Sequence, residues 1–489
     1  MIMEIIKIIL GSIYVIVTAL LILNGVHRYQ TMYRFARAGK HPLPIVPALS
    51  NYPKVTVQLP IYNERYVAER VLAAVADFDY PREALEVQIL DDSTDDTAAT
   101  MARRAAELRD RGFNVRHLHR SDRTGFKAGA LENGLKSASG EFVAVFDADF
   151  IPPRDFLKKT LPYFADPKVG MIQTCWGHVN RDYSFLTKML AILLDSHFVV
   201  EHIARNRNGL FFNFNGTAGI WRRSCIADAG GWEHDTLTED LDLSFRAQIK
   251  GWQFLYLPDV VCPAELPPEI NAVKSQQFRW AKGAMQTAVK LLPTIWRSKI
   301  TLRQKIEATF HLTSYLPTLW ALYSSLLIFP SLLIWGYKTT LPIIFMNLAL
   351  FAVTSVTFFM FFEMSQRPVE KSLLRRLLNS SLLMSIWMGM SISNGRAIIE
   401  GLFNVKSEFK RTPKFKIETK RDSWVGKKYI QARDLTVLAE LAMVIYLLGT
   451  LLYVWHCRDY YMLPFVFAFI YGFGYVAYLS FRTALKNLI

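Results

Sequence analysis

Acidic residues stand where apolar runs end, and their spacing suggests chemistry. In "FDADF" the run stops at Asp147 and Asp149. Two residues apart in an extended chain, these carboxylates share one side. Converging carboxylates suit Mg2+ or Mn2+, ions that take oxygen ligands and bridge a diphosphate; a solvated strand-end turn is the other reading. In "ILDDST", Asp91 and Asp92 follow a second apolar run, where carboxylates can accept hydrogen bonds from a nucleotide base or ribose. A helix cap is the alternative there, and Thr94 or Asp95 can fill it instead. "PIYNER" closes the first run and offers Pro60, Tyr62 and Glu64 as a frame for a nucleoside. "RTGFKAGALENG" sets Lys127 between glycines, which permit close backbone approach, and its ammonium is a point charge for phosphate; an ordinary surface turn reads the same way. "LTEDLDLSFRAQIKGW" opens with Thr238, Glu239 and Asp240. Thr238 is placed to cap a helix, and a carboxylate at that start can act as a general base toward a sugar hydroxyl attacking an anomeric carbon.

These residues need a scaffold that gathers them. From Pro53 to about Pro268 strand-like and helix-like stretches alternate: "KVTVQLPIY", "ERYVAERVLAAVADF", "LEVQILDDST", "DTAATMARRAAELRDRG", "NVRHLHR", "KAGALENGLKSA", "EFVAVFDADF". Repeated strand–helix units predict a largely parallel sheet covered by helices. Ligands of such sheets sit at the carboxyl ends of the strands, where Asp91, Asp92, Asp147 and Asp149 fall.

The rest of the chain is apolar. Hydrophobic residues make up 51% of 489, with 57 Lys and Arg against 42 Asp and Glu. No nucleic-acid motif accompanies the basic excess, which fits contact with anionic lipid headgroups. The four cysteines have no C-x-x-C spacing, so a redox or metal motif is unsupported. The run Ile5–Val26 is long enough to cross a bilayer and is followed by basic residues, predicting an uncleaved anchor over residues 1–28 with its C-terminal end in the cytoplasm. A soluble domain is expected over 50–290 and a membrane domain over 291–489. Further runs lie at about 311–336, 341–362, 377–400, 435–456 and 460–481. If all of them cross, the segment Gly401–Asp434, with ten Lys/Arg against four Asp/Glu, lies outside. The positive-inside rule therefore predicts that 377–400, rich in serine and asparagine, is interfacial or lines a channel, with an ordinary span as the alternative. The stretch 276–306 is also expected at the interface, and 401–434 becomes a basic cytoplasmic loop. His311 is expected at headgroup level. Glu440, costly inside a span, faces a channel or pairs with a neighbouring helix. Trp320, Trp335 and Trp455 are interface anchors or sugar-stacking residues.

The ordered set "LDDSTDDT", "FKAGAL", "VFDADF", "FNFNGTAGIW", "AGGW", "TEDLDL", "ELP" and "QQFRW" resembles the family-2 inverting processive glycosyltransferases, most closely the plant cellulose-synthase-like A and C proteins and their bacterial relatives. The resemblance covers about residues 50 to 285. It implies an α/β GT-A (Rossmann-like) cytoplasmic domain between transmembrane segments with interfacial helices. It implies contact with the donor nucleotide at Asp91 and Asp92, a lysine near the donor at Lys127, an Mg2+ or Mn2+ site at Asp147 and Asp149, and a catalytic base at Asp240 within Thr238-Glu239-Asp240. Gln276, Arg279 and Trp280 match the signature that holds diphosphate and acceptor. Arg279 can pair with phosphate oxygens, Trp280 offers a flat face for a pyranose, and Gln276 both donates and accepts. Phe214, Asn215, Gly216 and Thr217 are expected along the acceptor path, and Lys282 at headgroups. Cellulose synthases carry an F-x-V-T-x-K gating loop; "FNVKSE" matches it in part, and "FKRTPKF" offers an alternative. No PilZ-like domain is expected after this loop, so control by cyclic-di-GMP is not implied. The implied partners are a nucleotide-sugar donor, a growing glycan and membrane lipid, with no nucleic acid; the oligomeric state is left open. The implied activity is processive synthesis of a β-1,4-mannan, glucomannan or glucan from GDP-mannose or UDP-glucose. Single-sugar transfer to a lipid is the rival enzyme reading, and a transporter with a degenerate domain is a third class.

Overall fold

The computed structural model describes residues 2–335, 352–429 and 436–486. Seven strands, β1 (Val55–Ile61), β2 (Leu85–Asp91), β3 (Asn114–His119), β4 (Phe142–Val145), β5 (Val169–His178), β6 (Gly219–Arg222) and β7 (Gln253–Ala264), form one sheet in the order β3-β2-β1-β4-β6-β5-β7. The β1–β2, β1–β4, β2–β3 and β5–β7 pairs are parallel, as the strand–helix alternation predicts. Strand β6 runs antiparallel to both neighbours. Its reversal follows from the long excursion after β5: the apolar helix Phe185–Asp195 leaves the sheet and packs with Phe361, Leu383 and Val476 before the chain returns. Through this excursion the sheet unit packs directly against the apolar helices that follow it.

Strands β1 and β2 are buried almost throughout, so their polar side chains must satisfy one another. Thr56 donates to Glu86 at 2.7 Å and Gln58 to Gln88 at 3.1 Å. Helices Ala68–Ala76 and Asp96–Asp110 bury Val71, Leu72, Met101 and Ala105 against one sheet face. Helices Phe126–Leu135 and Glu239–Ile249 bury Leu131, Leu243 and Ala247 against the other, with Trp221 and Trp232. Asp95 caps the helix Asp96–Asp110 by accepting from the Thr97 amide at 2.9 Å, the role the sequence assigned to Thr94 or Asp95.

Among the described residues, four helices are long and apolar enough to cross a membrane: Glu4–Ala36, Leu316–Leu333, Thr436–His456 and Leu463–Thr483. Half of the expected span at 341–362, residues 341–351, lies outside the described residues; the rest runs through Ala352–Val356 into the helix Thr357–Gln366. The stretch expected at the interface from 276 to 306 is two helices, Ile270–Arg297 and Leu302–Leu312, the first starting earlier because Glu269 caps it. The stretch 377–400 is likewise two helices, Leu373–Gly389 and Ser391–Leu402, broken at Met390.

Candidate active site

At the carboxyl ends of β1, β2 and β4 lies a cavity of about 180 Å3. Pro60, Tyr62 and Glu64 form one wall and Asp92 another. Asp147 and Asp149 do not lie within a strand, as the reading of "FDADF" assumed: β4 ends at Val145 and the chain turns, with the Phe150 amide donating to Asp147 O at 3.1 Å. Both carboxylates still reach the cavity.

Lys127 enters from the helix Phe126–Leu135. Its Nζ donates to Asp147 Oδ1 at 2.5 Å and to Gly216 O at 3.0 Å. Burial opposes its charge, but Asp147, Glu239 and Asp240 outweigh burial and raise its pKa, so it stays an ammonium. Gly216 has φ +79°, and a Cβ there would lie 3.0 Å from Asp240 Oδ2 and 3.4 Å from Lys127 Nζ. A side chain at 216 would therefore be strained and would wedge between Asp240 and Lys127.

Thr238, Glu239 and Asp240 line the cavity at the start of the helix Glu239–Ile249. Thr238 occupies the cap position, yet its hydroxyl makes no cap bond and meets Thr287 Oγ1 at 3.2 Å. The helix Ile270–Arg297 approaches it closely through Gly283, where a Cβ would lie 2.6 Å from Thr238 Cγ2. Burial first, and the Glu239 carboxylate second, push Asp240 up to about 7, against the pull of Lys127. Burial raises Glu239 as well. The pair thus holds a carboxylate poised near neutrality, the condition for a general base.

Gln276, Arg279 and Trp280 line the same cavity. Arg279 donates to Lys410 O at 3.0 Å and stacks on Phe409 at 4.6 Å. Phe409, Arg411, Thr412 and Lys414 complete the lining, so the cavity is covered by "FKRTPKF" and not by "FNVKSE". Arg411 pairs with Glu64 at 2.5 Å, and Lys414 donates to Asp149 Oδ2 at 2.6 Å and to Glu265 O at 2.7 Å.

Four predicted contacts, at Asp91, Phe214, Thr217 and Lys282, are corrected. Asp91 does not line the cavity; it is fully buried behind it, because β2 points its carboxylate at His117 on the neighbouring strand. Phe214 is buried against Trp221 and Trp232, and Thr217 turns inward to accept from the Asp147 amide at 2.8 Å; only Asn215 and Gly216 of that stretch reach the cavity. Lys282 is not at headgroup level: it is fully buried, donating to Glu400 at 2.8 Å and Ser407 at 2.9 Å, because helix Ile270–Arg297 turns it toward helix Ser391–Leu402.

A second cavity of about 850 Å3 shares Trp176, Leu194, Asn215, Thr238, Asp240 and Trp280 with the first. It continues among the membrane helices past Phe358, Ser385, Trp387 and Phe465. Ser381, Met384, Ser385, Trp387 and Met388 of the polar stretch 377–400 line this cavity. His311 is buried here, not at headgroup level, bonded to Asn213 at 2.9 Å and Glu201 at 3.2 Å. Trp320 and Trp455 do not line it, and the Trp335 side chain lies outside the described residues. Trp176 was not foreseen. Its indole Nε1 is buried with no hydrogen-bond partner among the described residues, at the junction of the two cavities. No sequence signal marks it, since a tryptophan on a buried strand reads as core. Glu265 binds the amides of Phe415 and Lys416, each at 2.8 Å; only the "ELP" motif pointed to it.

Residues 53–283 match the family model described as "Glycosyltransferase like family 2". The chain carries a family-2 glycosyltransferase domain. It is 42% identical over 255 residues to glucomannan 4-beta-mannosyltransferase 2 of Arabidopsis thaliana, covering 51% of this chain and 48% of that protein. It is 41% identical over 268 residues to glucomannan 4-beta-mannosyltransferase 1 of Oryza sativa subsp. japonica, covering 54% and 51%. The matches thus span about half the length of the curated relatives. The fold of the glycosyltransferase domain and its surroundings is GT-A-like and resembles a mannosyltransferase of Pyrobaculum calidifontis solved with GDP-Man and Mn2+, at TM-score 0.55 and 23% identity over 81% of this chain and 100% of that one.

The glycosyltransferase domain offers an all-oxygen donor set for a divalent cation. Asp147 and Asp149 both face the cavity, and the ammonium bonds engage one oxygen of each, Oδ1 of Asp147 and Oδ2 of Asp149. The remaining oxygens, Asp147 Oδ2 and Asp149 Oδ1, are of the kind Mg2+ or Mn2+ takes, and an ion there would compete with Lys127 and Lys414 for the two carboxylates.

Proposed function

We propose that the protein is an inverting, processive membrane glycosyltransferase that extends a β-1,4-linked mannan or glucomannan from GDP-mannose. The observation that carries this reading is the meeting of two cavities at Asp240 and Trp280: a small polar one and a long one running among apolar helices. A donor fits the first and a glycan chain the second. Identity to two plant glucomannan mannosyltransferases supports the sugar.

In this reading Tyr62, Glu64 and Asp92 frame the nucleoside. Arg279 and Lys127 face the diphosphate, where negative charge builds as it leaves. Asp147 and Asp149 would hold Mg2+ or Mn2+, which when bound neutralises part of that charge. Asp240 takes the proton of the acceptor hydroxyl, whose oxygen attacks the anomeric carbon from the face opposite the leaving group and inverts it. Trp280 and Trp176 present flat faces to the acceptor sugar, and the Trp176 N–H can donate to a hydroxyl. The basic segment 401–429 gates the donor cavity through Arg411 and Lys414. Its basic charge supports a cytoplasmic side for it and for the catalytic domain.

Purified protein given a panel of labelled nucleotide sugars tests the proposal. GDP-mannose should yield a polymer that resists dialysis and is cut by an endo-β-mannanase. A monoglycosylated lipid as sole product would establish the single-transfer reading instead, and turnover of UDP-glucose alone would overturn the sugar.

A further inference from the structure

Behind the donor cavity, two imidazoles converge on one carboxylate oxygen. His117 Nε2 lies 2.8 Å from Asp91 Oδ2, and His119 Nδ1 lies 3.4 Å from the same atom. The arrangement is built by the sheet. His117 and His119 are two apart on β3 and so share a face, and Asp91 is the direct parallel partner of His119 on β2. Orienting a buried carboxylate needs one imidazole; a second at the same oxygen is one more than that role uses.

The carboxylate is also left free of the cations around it. Arg120 commits its guanidinium to the neighbouring Asp92, at 2.8 and 2.6 Å. The Ser93 amide donates to Asp91 Oδ1 at 2.8 Å, the Ser93 hydroxyl also bonds this carboxylate, and the imidazoles meet Oδ2. That amide fixes the carboxylate's orientation, as outer partners of metal-binding carboxylates do. Exposure grades outward, from 0% for the Asp91 side chain through 15% for His117 to 45% for His119, so the cluster opens to solvent on the His119 side. The other acidic cluster, Glu233, Asp235 and Asp242, is neutralised by Lys290 at 2.6, 2.7 and 3.0 Å and offers no such opening.

We propose that Asp91, His117 and His119 form a zinc site distinct from the Asp147/Asp149 pair. Their ligand atoms lie within 4.8 Å of one another. With metal–ligand bonds of about 2.0–2.2 Å, tetrahedral ligands stand roughly 3.3 Å apart, so the cluster closes on an ion with small side-chain adjustments. Two imidazole nitrogens and one oxygen favour Zn2+ over Mg2+ or Mn2+, which prefer oxygen throughout. The fourth position faces solvent. A bound ion would tie β2 to β3 and fix the turn 91–93, whose Asp92 lines the donor cavity and whose Ser93 hydroxyl accepts the Asn63 amide at 2.9 Å.

The test uses full-length detergent-purified protein without a histidine tag, stripped with chelator and dialysed against Zn2+ in excess Mg2+. Wild type should retain one Zn2+ per chain, with an X-ray absorption spectrum showing two imidazole nitrogens and carboxylate oxygen. His119→Ala removes an exposed ligand and should melt like wild type without zinc, while binding Zn2+ at least about tenfold more weakly. Zinc should raise the wild-type melting temperature and leave that of His119→Ala in place. Absence of binding at micromolar free Zn2+, or equal binding by His119→Ala and wild type, overturns the site.

Discussion

Arg411 reaches across the smaller cavity to Glu64, 2.5 Å away, tying the basic segment after helix Ser391–Leu402 to the loop just past β1. Both side chains are mostly buried, and burial pushes Glu64 up to about 7 against the pull of Arg411. The segment is anchored again by Lys414 on Asp149 and by the amides of Phe415 and Lys416 on Glu265. Arg411→Ala removes one clamp and leaves Glu64 without its cation. Hydrogen exchange of peptides covering 405–418 should then speed up by about tenfold, the equivalent of about 1.4 kcal/mol. Unchanged exchange would show that Glu265 and Lys414 hold the segment without Arg411.

Asp240 carries the proposed proton transfer, and its position near neutrality has two consequences of opposite sign. As a base it must be ionised, so kcat/KM should rise with pH to a plateau above its pKa of about 7. Asp240→Asn should lower turnover by about 10²–10⁴-fold and abolish that limb. For stability the sign reverses. The folded pKa lies above the ordinary 3.8, so ionisation is disfavoured in the fold, and the penalty grows from pH 4 to pH 7 and is constant above. Asp240→Asn should therefore melt higher than wild type at pH 8, with the gap shrinking toward pH 4. A variant that loses both activity and stability at pH 8 would assign Asp240 a structural role.

Much of this site was legible in the sequence because its residues stand at the ends of elements. Asp92, Asp147 and Asp149 face the cavity just past the strands that the alternation predicted, and Asp240 faces it from the start of the helix Glu239–Ile249. What failed were judgements of side-chain direction. Asp91 and Asp92 are adjacent, so in extended chain they point to opposite faces, and nothing local says which one meets the ligand. Lys282 and His311 read as headgroup residues because basic side chains near apolar runs usually are. Their burial depends on Glu400 and Glu201, which lie 118 and 110 residues away. Long-range pairing of that kind leaves no periodic trace.

Trp176 offers a sharper test of the acceptor path. Its indole lines both cavities, with Nε1 free to donate to a sugar hydroxyl. Trp176→Phe keeps an aromatic face and removes the donor. The Michaelis constant for an added oligosaccharide acceptor should rise by about fivefold to tenfold, about one hydrogen bond's worth, while that for the nucleotide sugar stays put. An equal change in both constants would place Trp176 in the core and not on the acceptor path.

Lys274 and Glu440 form the buried contact between the helix Ile270–Arg297, which carries Arg279 and Trp280, and the membrane helix Thr436–His456. Their ends are 2.5 Å apart, with 2% and 1% of their side chains exposed. Glu440 also accepts from Ser480 at 3.2 Å, and Lys274 donates to Thr436 at 3.0 Å. Of the two readings of Glu440, pairing with a neighbouring helix is the one observed, and Glu440 does not line the long cavity. Removing one partner strands a charge away from water, at a cost of about 3–5 kcal/mol, whereas replacing both by apolar residues of similar volume is often neutral. Lys274→Met should therefore lower the melting temperature strongly, and Lys274→Met with Glu440→Leu should recover most of the loss. If the pair also seats the Arg279 helix, the double variant will be stable yet slower, with a raised Michaelis constant for the nucleotide sugar. Full recovery of both stability and turnover would reduce the pair to a packing element of the membrane part.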